Sequence, residues 1–69
     1  MTFKNWIIKF KDVNLPIGDL AKDIDSDKHF PDTKDHDTML EYLEKRNAYH
    51  LAIETFERSY RFYQEEISF

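Results

Sequence analysis

Histidines and carboxylates crowd one short stretch of this chain: His29, Asp32, Asp35, His36 and Asp37. Imidazole nitrogens and carboxylate oxygens together make a donor set for a divalent transition metal. The spacing argues otherwise. His29 and His36 stand seven residues apart across a segment containing Pro31, which matches no ligand signature, and His36 falls at a helix start on its apolar side. The expectation is a solvated acidic loop with no bound metal. Covalent catalysis fares no better, because there is no cysteine and no histidine is arranged with serine and carboxylate. Ser26, Ser59 and Ser68 read as loop, helix-face and tail residues. A single glycine, Gly18, cannot build a glycine-rich phosphate cradle. A helical chain of 69 residues also offers little concavity for shifting carboxylate pKa values. No catalytic residue and no cofactor is expected.

The elements that carry these residues are helical. From Leu51 to Ile67 the chain runs without glycine or proline, and Ile53, Phe56, Tyr60, Tyr63 and Ile67 recur at spacings that form one stripe of a helix. The other face offers Glu54–Arg58 and Glu57–Arg61 as i,i+4 ion pairs, acid first. Residues 2–10 read as a first helix with Thr2 as N-cap and Phe3, Trp6, Ile7 and Phe10 on one face, leaving Ile8 off it. Pro16 suits the first turn of a second helix, from about Ile17 to Asp25, that turns Ile17, Leu20, Ala21 and Ile24 inward. Gly18 inside it predicts close backbone approach by another element. Phe30 plugs the core from the following loop. A third helix opens between Asp35 and Thr38, either with Asp35 as cap or with Thr38 and Glu41 as a capping box, and stops at Asn47. The connection to the last helix is then very short.

Composition bounds the rest. The chain reads as one small domain, whose core depends on eleven aromatics rather than disulfides. Lys4, Lys9 and Lys11 interrupt the N-terminal apolar patch, no signal-peptide cleavage site follows, and no apolar run reaches membrane-spanning length. A cytoplasmic protein is expected. Net charge is −4, and residues 19–37 carry seven Asp against three Lys. Such a chain is no general binder of phosphate backbones.

The residues PIGDLAKDI at 16–24, Phe30-Pro31, Tyr42-Leu43 and AIETFERSYRFY at 52–63 resemble the YozE-like family of small bacterial proteins. The resemblance runs from Phe3 and Trp6 to the final helix. It implies a compact all-α bundle of four to five helices, similar to the sterile alpha motif, with a long C-terminal helix. It brings no catalytic residues to carry over. Tyr60 departs from the pattern, since many relatives carry Trp there.

What remains is surface. Phe62 points about 120–140° from the middle of the stripe, next to Arg58, Ser59 and Glu66, and Ile8 is similarly off-face on the first helix. Aromatics and Arg are enriched where proteins meet. Phe62 and Arg58, with Ile8 and the acids Asp23, Asp25 and Asp27, form the candidate interaction surface for a protein partner of basic character. The bland reading of Phe62 is a side chain covered by the N-terminal segment or by Phe69. A rival from another class is nucleic-acid binding through Lys4, Lys9 and Lys11 with Lys45 and Arg46.

Overall fold

A computed structural model describes residues 1–67. Ser68 and Phe69, and with them the expected tail role of Ser68 and the covering role offered to Phe69, lie outside the described residues. Among the described residues there are four α-helices and one 3-10 turn, and no strand. Helix α1 (Phe3–Ile7) tightens into the 3-10 turn Ile8–Phe10; α2 spans Pro16–Ser26, α3 His36–Lys45 and α4 His50–Ile67.

Local chemistry explains each boundary. Thr2 caps α1 by accepting from the Asn5 amide at 3.3 Å, and Pro16 occupies the start of α2, where its missing N–H costs nothing. Asp35 is the cap of α3, accepting from the Thr38 amide at 2.9 Å and from the Thr38 hydroxyl at 2.5 Å. Thr38 therefore lies within the first turn of α3 and not at its cap, and the alternative capping box is not formed. Asn47 takes φ 56°, the left-handed conformation that stops a helix, and α4 begins three residues later.

Gly18 meets the expectation closely. A Cβ built on it would stand 1.8 Å from the Val13 carbonyl oxygen and 3.2 Å from that of Phe10. Only glycine lets α2 lie against the backbone that leaves the first helical segment.

The core joins all four helices and the α2–α3 loop. Phe3, Trp6, Leu20, Ile24, Phe30, Met39 and Leu43 are buried with Phe56 and Tyr63 of α4, as the sequence led one to expect. Phe3 is central: its ring lies 5.3 Å from Phe56, 5.5 Å from Tyr63 and 5.8 Å from Tyr60. Two bonds hold the N-terminal segment there, one from the Tyr63 hydroxyl to the Met1 carbonyl at 2.5 Å and one from the Phe3 amide to the Thr33 carbonyl at 3.3 Å.

The inward face of α4 differs from the expected stripe. Thr55, Phe56, Ser59 and Tyr63 are buried, Ile53 and Tyr60 are half-buried, and Ile67 is 45% exposed. At 100° per residue this turns the helix by roughly 60°. Ser59 therefore lies inside, not on the outer face. The helix packs most extensively on α2, and small side chains at Thr55 and Ser59 permit a closeness that a continuous line of aromatics would prevent. Ile67 lies at the end of α4, beyond the cover the other helices provide.

Candidate interaction surface

The rotation of α4 decides what its outer side presents. Phe62 moves from the far side to the margin of the buried face, roughly 75° from its centre, and remains 59% exposed. It borders a shallow depression of about 450 Å³ with Trp6, Phe10 and Ile17 as apolar walls and Glu65 and Glu66 on the rim. The indole of Trp6, packed 5.0 Å from Phe10 and 5.7 Å from Tyr63, donates its N–H to the Glu66 carboxylate. That bond fixes one wall of the depression to the end of α4.

The expected i,i+4 pairs on α4 are not made. His50 Nε2 lies 2.8 Å from Glu54, and His36 Nε2 lies 2.5 Å from Glu57. The imidazoles take the acids, one from a turn earlier on the same helix and one from the start of α3. Arg58 and Arg61 consequently have no ion-pair or hydrogen-bond partner among the described residues. Two free guanidinium groups thus flank an exposed phenylalanine.

Other residues expected on this surface lie elsewhere. Ile8 is half-buried and packs on the core. The helix tightens at that position, and a 3-10 turn redirects a side chain that a continued α-helix would leave outside. The three aspartates at the end of α2 do not form one free acidic face. Asp25 stands 3.7 Å from Lys11. Asp27 is half-buried; its carboxylate accepts from the Tyr42 hydroxyl at 2.7 Å, from Arg46 at 2.6 Å and from the His29 amide at 3.0 Å. Burial pushes the Asp27 carboxyl upward, but the Tyr42 and His29 hydrogen bonds and the Arg46 charge outweigh it and hold it below its ordinary value. Asp23 alone keeps an exposed carboxylate without a partner. Beside this network an open groove of about 700 Å³ runs past Phe30, Tyr42, Arg46 and Tyr49.

The same ion pairs divide the basic patch. Lys11 faces Asp25, Arg46 faces Asp27, and Lys45 lies 3.3 Å from Glu41. Lys9 rests over the Phe10 ring at 6.0 Å, and no partner charge meets Lys4 or Lys9 among the described residues. Helices α1 and α3, which carry Lys4 and Lys45, do not pack on each other.

The histidine–aspartate stretch is similarly dispersed. His36 lies over the Phe56 ring at 5.4 Å, with Nδ1 3.1 Å from Asp37. Asp35 caps α3 and Asp32 accepts from the Thr2 hydroxyl. Among the described residues no three such side chains converge on a point that could hold an ion. Nor is any described helix long and apolar enough to cross a membrane.

A family model described as the YozE SAM-like fold matches residues 2–65. No curated protein and no solved structure matches the chain.

Proposed function

The chain belongs to the YozE SAM-like fold family, and from that fold together with its surface we propose that it is a non-enzymatic module that binds protein through the outer side of α4. The observation that carries this reading is Phe62, 59% exposed beside the apolar walls of Trp6, Phe10 and Ile17 with unpaired Arg58 and Arg61 close by. A large aromatic held in water beside an apolar hollow gains by desolvation, and aromatics with Arg dominate the energetics of protein contacts. The fold by itself does not argue function; the site does. The cysteine-free sequence fits work in a reducing compartment such as the cytoplasm.

Nucleic-acid binding is the weaker reading, since Lys11, Lys45 and Arg46 already face carboxylates. A salt titration against duplex and single-stranded DNA checks it, with absence of binding at low salt expected.

The direct experiment compares wild-type and Phe62→Glu chains as baits in lysate of the source organism, with Asp23→Asn as a control on the opposite groove. Phe62 is exposed, so the substituted bait keeps its fold. Proteins captured by the wild type are lost on Phe62→Glu and retained on Asp23→Asn. Equal recovery on all three rejects this placement of the surface.

A further inference from the structure

The order of charges along α4 says what kind of partner the Phe62 face fits. Arg58 stands four residues before Phe62, and Glu65 and Glu66 stand three and four residues after it. On a helix these positions share a side with Phe62. A uniformly basic partner would meet the unpaired Arg58 and Arg61, and a uniformly acidic one would meet Glu65 and Glu66, so a partner of either single sign is opposed at one end. The sequence of charges is instead complementary to its own reverse.

We propose that the occupant of this face is a second copy of the chain, bound through an antiparallel contact of α4 with α4 about a two-fold axis at Phe62. The proposal rests on the reading of the Phe62 face as protein-binding. A two-fold contact is isologous, so wherever a residue meets a second residue of the other copy, the reverse contact is also made. Phe62 then meets Phe62 of the second copy over the Trp6, Phe10 and Ile17 walls. Arg58 meets Glu65 of the second copy, and Glu65 meets Arg58 of that copy in return. The pairing is available because His36 and His50 have taken Glu57 and Glu54 and left Arg58 uncommitted. A single 18-residue helix is about 27 Å long, which places the contact at the small, reversible end of interfaces.

Sedimentation equilibrium tests this with the full chain, wild type against Phe62→Glu, Arg58→Glu and Glu65→Arg. Glu65 is chosen because Glu66 accepts the Trp6 N–H, and circular dichroism verifies that each variant is folded. Wild type is expected to dimerise reversibly, and each single variant to weaken the dimer by at least about tenfold. An equimolar mixture of Arg58→Glu and Glu65→Arg restores association, because both crossed pairs are then attractive. A wild-type chain that stays monomeric at millimolar concentration overturns the proposal, as does a mixture no tighter than its components. If that monomer still loses its captured proteins on Phe62→Glu, self-association fails while the protein-binding surface stands. If it loses none, both fail.

Discussion

His36 and Glu57 join the start of α3 to the middle of α4, with Nε2 2.5 Å from the carboxylate and the imidazole stacked at 28° on Phe56. Desolvation disfavours the imidazolium, but its hydrogen bonds to the Asp37 and Glu57 carboxylates and their charges outweigh it, so the His36 pKa is raised from its ordinary 6.5. Its folded value lies above its unfolded one. The stabilisation is therefore complete below pH 6.5 and is lost as pH rises through the folded value. Asp35 behaves oppositely: the Thr38 hydroxyl and amide hold it below 3.8, so its contribution is present above that pH and lost as pH falls. Thermal melts across pH should show greatest stability on the mildly acidic side of neutrality. His36→Gln should flatten the decline above pH 6.5 and leave the acid limb in place.

The revised face of α4 makes a paired prediction. Phe56→Ala removes a fully buried ring and should cost about 3–5 kcal/mol, close to the whole stability of a domain this size. Ile67→Ala should cost far less, about 1 kcal/mol or under, because the residue is 45% exposed at the end of α4. Urea unfolding of both variants checks the pair; a comparable loss at Ile67 would restore the evenly spaced stripe.

Gly18→Ala should be among the most damaging single changes. The new methyl meets a backbone carbonyl at 1.8 Å, and neither Val13 nor α2 can withdraw without parting the first two helices. A loss of about 3 kcal/mol or more is expected, read as a fall in the urea midpoint or as failure to fold.

Asp27 supports the turn between α2 and α3 from the end of α2, where it accepts from Tyr42 and Arg46. Asp27→Ala leaves the Tyr42 hydroxyl without its acceptor and Arg46 with only the Tyr42 hydroxyl to donate to, and should cost about 1–3 kcal/mol. Tyr42→Phe leaves the Arg46–Asp27 pair in place and should cost about 1 kcal/mol. Equal costs in thermal melts would count against Asp27 as the centre of the network.

The elements were legible because they rest on local chemistry: Thr2 as a cap, Asp35 as one of two candidate caps for α3, Pro16 at a helix start, Asn47 at a stop, and Gly18 where two backbones meet. The facing of α4 was less so. Periodicity placed Phe56 and Tyr63 inside, but the inward role of Ser59 and Thr55 depends on how closely a neighbouring helix approaches, which no local pattern encodes. Ile8 misled for a related reason, since the change from α to 3-10 winding follows from packing. Charge pairing was hardest to foresee. Glu54 has both His50 and Arg58 one turn away, and Glu57 meets His36 only because α3 folds back on α4, so the unpaired arginines beside Phe62 are a tertiary result.

The outer side of α4 as the place where this chain meets protein is tested most directly by amide spectra. The labelled chain is mixed with the protein eluted from a wild-type bait, its own copies included, and every amide and indole signal is followed. The account predicts shifts and broadening at Arg58, Phe62, Glu65, Phe10, Ile17 and the Trp6 indole. Changes confined to Tyr42, Arg46 and Tyr49 in the opposite groove, or no change anywhere, would contradict it.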